Sequence, residues 1–209
     1  MPETTAFVHR FVPGTDDSAP VLLLLHGTGG TEEDLLGLGA HLRPGAPLLS
    51  PRGRVLENGM ARFFKRLAEG VFDEPDLILR TAELAAFVAA ARTRHELGDR
   101  PIVAVGYSNG ANIAASLLLL QPDVLAGAIL LRAMVPLTPP KLPDLGGVRV
   151  FLAGGRADSM IPPENTAQLA RMLETAGADV ALQFSPGGHN LGSAEIAEAA
   201  AWLTQNFPS

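Results

Sequence analysis

The pentapeptide Gly106-Tyr107-Ser108-Asn109-Gly110 holds a serine in a setting that could make its hydroxyl a nucleophile. A serine hydroxyl is weak at neutral pH. To attack a carbonyl it needs a base, a group that orients the base, and N–H donors aimed where negative charge develops. The chemistry would be acyl transfer. Residues 102–105, Ile-Val-Ala-Val, read as a buried strand, and residues 111–120, rich in Ala and Leu, read as a helix. Between them Ser108 must adopt a strained backbone conformation, and the two glycines let strand and helix pack closely. Such a nucleophile elbow presents one hydroxyl at the carboxyl end of a sheet. It also sets that hydroxyl beside a helix N-terminus, whose partial positive charge and free N–H groups favour an oxyanion. The plain alternative is an ordinary serine in a Gly-rich turn, but the flanking strand and helix are the context the mechanism requires.

Of the five histidines, His189 alone follows a late strand, in Ser185-Pro186-Gly187-Gly188-His189, where glycines let the loop turn the ring inward. His189 is therefore the candidate base. His9, His41 and His95 read as solvated, and His26 as a residue that fixes the loop it precedes. Asp158, following the strand over 148–153, is the candidate carboxylate for holding the imidazole tautomer. Asp179 is the alternative, placed where the chain enters a strand at the opposite edge of the sheet. The oxyanion donors are expected to be the backbone N–H of Asn109 and, from the loop His26-Gly27-Thr28-Gly29-Gly30, that of Thr28. That loop lacks the Lys-Ser/Thr of a P-loop and the Gly-x-Gly-x-x-Gly of a dinucleotide site.

These residues need strands that end together. Apolar runs predict strands over 21–25, 126–131, 148–153 and 180–184, with a short strand over 47–50 and an edge strand over 6–12. Helical patterns fill 31–40, 76–97, 163–175 and 193–207, the first opened by Thr31 as N-cap with Glu32, Glu33 and Asp34 behind it. Pro163 stands near the first turn of its helix and Gly177 just past the end. The alternation predicts an α/β fold: a mostly parallel central sheet with helices on both faces. Ligands collect at the carboxyl ends of such strands, and every unusual cluster in this chain falls at one. Residues 51–75 show no clean periodicity. They mix glycines and arginines with Phe63, Phe64 and Phe72, and they read as an irregular functional or mobile stretch that packs through its aromatics.

Composition narrows the partners. A chain of 209 residues, 47% hydrophobic and 18% charged, suits one globular domain over residues 1–209. Its net charge of −6 argues against nucleic acid, which demands a basic face. With no cysteine, disulfides, thiolate catalysis and Cys-ligated zinc are excluded. The opening Met-Pro-Glu-Thr-Thr is not a secretory signal, and no apolar run is long enough to span a membrane. A cytoplasmic enzyme without cofactor or metal is the default expectation. A homodimer through an apolar surface is compatible with the sequence, although no stretch reveals one.

Taken together, Leu25-His26-Gly27-Thr28-Gly29-Gly30, the Gly106–Gly110 elbow, Asp158 with Ile161-Pro162, and Gly187-Gly188-His189 resemble the phospholipase/carboxylesterase group of α/β-hydrolases. This group includes small bacterial carboxylesterases and acyl-protein thioesterases. Pro51-Arg52-Gly53-Arg54-Val55, Asn58-Gly59 and Phe63-Phe64 are similar to the bacterial carboxylesterase branch. The order Ser108, Asp158, His189 is that of the α/β-hydrolase triad. The resemblance spans nearly the whole chain and implies the α/β-hydrolase fold with no separate cap domain. It also implies a Ser108–His189–Asp158 triad, oxyanion donors at Thr28 and Asn109, and hydrolysis of a small-molecule ester. Thioesterases of this group usually have Gln after the serine, where this chain has Asn109. Met60, Phe63, Phe64, Met134, Met160 and Ile161 are expected to wall a pocket for small to medium acyl or aromatic esters. Each of Met60, Phe63 and Phe64 could equally belong to the core. Alternatives are thioester, lysophospholipid or peptide cleavage on the same triad, or a hydrolase-like protein that only binds ligand.

Overall fold

In a computed structural model, residues 7–208 are described. The stretch 1–5 weighed above as a leader, and residue 6 of the expected edge strand, lie outside them.

Five consecutive apolar residues make β2 (Val21–Leu25) wholly buried, and their alternation divides the protein into two cores. Leu23 and Leu25 point to one face of the sheet, Leu22 and Leu24 to the other. β8 (Ile102–Tyr107) does the same, with Ile102 and Ala104 on the first face and Val103 and Val105 on the second. Seven strands form the sheet in the order β1-β3-β2-β8-β9-β10-β11. The others are β1 (His9–Val12), β3 (Leu48–Pro51), β9 (Gly127–Leu131), β10 (Arg149–Gly155) and β11 (Asp179–Ser185). All neighbours run parallel except β1, which pairs antiparallel with β3 at the edge. Helices α2 (Glu74–Arg94), α3 (Asn109–Leu120) and α4 (Pro163–Thr175) cover the first face through Leu84, Leu117 and Leu169. On the second, α1 (Leu36–Leu42) and α5 (Ser193–Asn206) contribute Leu42, Ala199 and Leu203. This is the α/β-hydrolase architecture. The chain leaves β2 toward β3 on one side and returns to β8 on the other, so the switch point lies between the loops after β2 and β8. Those loops carry Thr28 and Ser108.

Two expected elements differ. Helix α1 begins at Leu36, not at residue 31. Thr31 does cap, but it caps a turn: its Oγ1 accepts from Glu33 N at 3.3 Å and donates to Asp34 Oδ1 at 2.8 Å. Glu32 meanwhile turns toward Arg52, whose Nη2 donates to Glu32 Oε1 at 2.8 Å, and the segment stays a series of turns until residue 36. Residues 51–75 are not irregular. They form two antiparallel hairpins, β4 (Val55–Glu57) with β5 (Met60–Arg62) and β6 (Arg66–Ala68) with β7 (Val71–Phe72). The first turns at Asn58-Gly59, both at positive φ (53° and 80°), as a two-residue hairpin matched to strand twist requires.

At the elbow there is no room for a side chain on either glycine. A Cβ on Gly106 would come within 2.5 Å of the Gly110 carbonyl oxygen, and one on Gly110 would overlap the Leu25 carbonyl oxygen of β2. Both obstacles are backbone and cannot swing away. Gly110→Ala should therefore push α3 off the sheet and lower the thermal midpoint well beyond the roughly 2–4 °C that 1 kcal/mol produces in a domain of this size. Thermal denaturation compared with Gly37→Ala, where a Cβ meets open space, checks this.

Candidate active site

Ser108 sits at φ 52°, ψ −113°, between the end of β8 and the first turn of α3. A non-glycine residue there carries about 1–3 kcal/mol of strain. The strain is held by hydrogen bonds on both sides: Ser108 N donates to Leu131 O of β9 at 2.9 Å, and Asn112 N to Ser108 O at 3.0 Å. Its Oγ lies 3.1 Å from His189 Nε2. His189 Nδ1 lies 2.8 Å from Asp158 Oδ2. A carboxylate can only accept, so Nδ1 carries the proton and Nε2 is left with its lone pair toward Ser108. The three side chains thus stand in the relay that proton transfer from the hydroxyl requires. Asp179, the alternative carboxylate, opens β11 at the other end of the strands, exposed and in register with Arg149.

The electrostatics of Asp158 favour its charged form. Burial pushes its carboxyl upward, but the His189 N–H, Met160 N at 2.9 Å and Ile161 N at 3.1 Å outweigh burial and hold it below the ordinary 3.8. Thr28 and Asn109 line the same cavity as Ser108, and their N–H groups donate no hydrogen bond among the described residues. Thr28 is set by three supports. Gly29 N donates to Ala61 O at 2.8 Å, Arg62 Nη1 donates to Thr28 Oγ1 at 2.5 Å, and Gly53 N donates to His26 Nε2 at 2.9 Å. Because Nε2 accepts, His26 is neutral with its proton on Nδ1, directed at Gly27 O 2.6 Å away.

A cavity of about 410 Å³, counting the space open at its mouth, fronts Ser108. Met134, Met160 and Ile161 line it, as do Thr28, Asn109 and His189. Met60, Phe63 and Phe64, expected as walls, do not. Phe63 and Phe64 follow β5 into the first-face core at 2% and 0% exposure, and Met60 stands exposed against Gly29 at the hairpin tip. Phe63 and Phe64 lie in the bend between the two hairpins, where Phe63 N donates to Asn109 Oδ1 at 2.7 Å and both rings enter the core. Arg62 and Arg66, on either side of that bend, stand together with Phe72 along the cavity. Among the described residues no group of three or more His, Asp or Glu side chains is placed to hold a metal ion.

Arg132 and Glu195 had no role in the sequence reading. Arg132 follows β9 at φ 60° and is fully buried. Its guanidinium grips the loop that carries His189: Nε donates to Gly188 O at 2.9 Å and Nη2 to Asn190 O at 2.9 Å. Glu195, in the first turn of α5, pairs with both Nη groups, Nη2 at 2.9 Å. Nε also stands 3.9 Å from Asp158 Oδ2. Tyr107 completes the frame by donating to His189 O at 3.1 Å. An arginine directly after a fully apolar strand was the available signal, because a charge there must be paired.

Two outcomes follow from these supports. Arg132→Met leaves Glu195 buried without its partner. Unfolding in urea should show a loss of about 3–5 kcal/mol, and Glu195→Gln, which keeps the shape, a smaller one. For His26, burial holds the ring below its ordinary 6.5, outweighing the hydrogen bond to Gly27 and the nearby Asp34 and Glu32. As pH falls, the unfolded chain then takes up this proton before the folded one. The neutral ring's stabilisation is complete above about pH 6.5 and is lost below it. Melting midpoints across this window should fall toward acid pH, and less steeply in His26→Asn.

The comparisons agree with this geometry. A family model for the alpha/beta hydrolase fold matches residues 20–180, a span that includes Thr28, Ser108 and Asp158. The Bacillus subtilis (strain 168) protein MhqD, whose name assigns it to the hydrolases, is 51% identical over 94% of this chain and 98% of its own. Among solved structures, a Bacillus cereus carboxylesterase superposes with a TM-score of 0.95 at 47% identity, covering 98% of this chain and 96% of the other. A carboxylesterase from Mesorhizobium loti gives 0.87 at 33% identity, covering 98% and 97%. With the matched span running from β2 into the start of β11, the chain belongs to the α/β hydrolase family and is an enzyme, a hydrolase.

Proposed function

We propose that this protein is a serine carboxylesterase acting on small to medium carboxylic esters through an acyl-enzyme on Ser108. The observation that carries the reading is the relay from Ser108 Oγ to His189 Nε2 at 3.1 Å and from His189 Nδ1 to Asp158 Oδ2 at 2.8 Å, on a serine held at positive φ. In the first half-reaction Oγ attacks the acyl carbon while Nε2 takes its proton. The carbonyl oxygen becomes an oxyanion facing the free N–H groups of Thr28 and Asn109. Collapse breaks the bond to the leaving alcohol, and His189 returns the proton to that oxygen. In the second half-reaction His189 takes a proton from water, the hydroxide attacks the acyl carbon, and Ser108 leaves with the proton. Asp158, kept charged, stabilises the imidazolium in both halves.

Support for oxygen esters comes from the likeness to the Bacillus cereus carboxylesterase. Support for modest acyl groups comes from the limited cavity, closed by Met134, Met160 and Ile161. Hydrolysis of p-nitrophenyl esters of increasing chain length tests both. The parent should turn over short esters and fall off with length. Ser108→Ala should lose at least about a thousandfold in kcat, and a fluorophosphonate probe should label the parent at Ser108. Preserved activity in Ser108→Ala would overturn the reading. Faster turnover of thioesters or lysophospholipids by the parent would keep the relay and change the substrate.

A further inference from the structure

The hairpins beside Ser108 concentrate positive charge on one wall of the cavity. Arg62 ends β5 and Arg66 opens β6, and both line the cavity with Ser108, Asn109 and Asn112. A single carboxylate stands between them: Glu57 Oε2 is 3.1 Å from Arg62 Nε, and Glu57 Oε1 is 2.8 Å from Arg66 Nε. Two guanidiniums therefore share one negative charge, and Arg62 is only 3% exposed. Glu57 Oε2, although close to Arg62, makes no hydrogen bond. Burial, and then the charge of Arg66, press Arg62 below its ordinary value, against a weaker pull from Glu57.

Donors on this wall exceed acceptors. Arg62 spends Nε on Phe64 O at 3.2 Å and Nη1 on Thr28 Oγ1. Among the described residues Arg62 Nη2 and both Nη groups of Arg66 meet no acceptor. Asn109, 2% exposed, uses Oδ1 to accept from Phe63 N at 2.7 Å, and its Nδ2 is buried without a partner. Asn112 accepts from Met134 N at 3.0 Å through Oδ1. Buried donors without acceptors are unfavourable, and guanidinium forks match the two oxygens of a carboxylate. Glu69, the acidic side chain among the lining residues, is exposed at the turn between β6 and β7, where solvent screens it.

We propose that Arg62 and Arg66 form an anion subsite within the cavity, and that the favoured substrates are small esters carrying a free carboxylate, such as monoesters of short dicarboxylic acids. This rests on the serine-esterase reading above and adds to it the substrate class. Arg66 supplies the accessible part of the subsite. The buried Arg62 fixes its inner end beside Thr28, so a carboxylate bound there lies a few bonds from the ester carbonyl.

The test compares the mono-p-nitrophenyl ester of glutaric acid with neutral p-nitrophenyl pentanoate. The readout is the ratio of their kcat/KM values in the parent, Arg66→Gln and Arg66→Lys. A ratio cancels any general loss from substitution, and Arg66, half-buried on a hairpin, can be replaced without opening the core. The expected result is a parent ratio above one that falls about tenfold in Arg66→Gln, is largely kept in Arg66→Lys, and declines as ionic strength rises. A parent ratio of one or less, or a fall in Arg66→Gln of less than about threefold, overturns the subsite while leaving the esterase intact. Turnover of neither ester, with Ser108 unlabelled by fluorophosphonate, overturns the esterase reading and the subsite with it.

Discussion

Gly110 in α3 lies against the carbonyl of Leu25 at the end of β2, so near that a Cβ there would overlap it, and the site depends on this closeness. Because α3 lies that near the sheet, the chain must reverse from strand to helix within one residue. That residue, Ser108, is left at φ 52° with its side chain projecting from the strand end. The same closeness sets the loop after β2 beside the first N–H groups of α3. The Ser108 hydroxyl and the N–H groups of Thr28 and Asn109 thus owe their places to one packing distance. The strain at Ser108 is tolerated because β8 is buried between β2 and β9, whose Leu131 carbonyl takes the Ser108 N–H.

The histidine side of the site is held by different physics. His189 lies on a loop, and loops lack the ladder that fixes a strand. The loop's carbonyls at Gly188, His189 and Asn190 are taken by Arg132 and Tyr107, and Arg132 is neutralised by Glu195 from α5. Removing a charged pair from water is unfavourable, and a well-packed apolar pair could serve stability as well. What an apolar pair could not do is bind two of the loop's carbonyls at fixed angles. The arrangement therefore orders a ring that must meet both Ser108 and Asp158. It also ties the second-face helix α5 to the site, so packing around Ala199 and Leu203 bears on the position of His189.

Much of this was legible in the chain because the signals are local. Runs such as Val21 to Leu25 read as strands covered on both faces; Ser108 and Asp158 follow such runs and His189 the half-buried edge strand β11, each at a turn rich in glycine or small residues. Local pattern fails where a residue's partner is remote. Nothing near Arg132 announces Glu195, which comes from another element after two further strands. Thr31 carries a sound capping signal, but the Glu32–Arg52 pair, formed with a residue beyond β3, keeps its segment in turns. In residues 51–75 the Asn58-Gly59 pair is itself a hairpin signal. The strands are three residues or fewer, too short for period-two alternation to stand out, so aromatics destined for the core and arginines destined for the cavity looked interchangeable.

That exchange of roles changes how the site is organised. Had Phe63 and Phe64 faced the cavity, the hairpins would be a passive apolar wall. Instead they anchor the hairpins to the first-face core, and the polar side of β5 does two jobs at once. Ala61 O receives Gly29 N and Arg62 reaches Thr28, so β5 shapes the loop after β2 that borders Ser108. The same Arg62, with Arg66 and Glu57, sets the charge of the cavity wall. The Thr28 loop and the charged cavity wall therefore meet at one residue, Arg62. Whatever rests against the arginines also bears on Thr28, one hydrogen bond away. If the proposed anion subsite and oxyanion donor both hold, a group bound at this wall would also steady Thr28, so that binding at a distance from the reacting atom would favour the transition state.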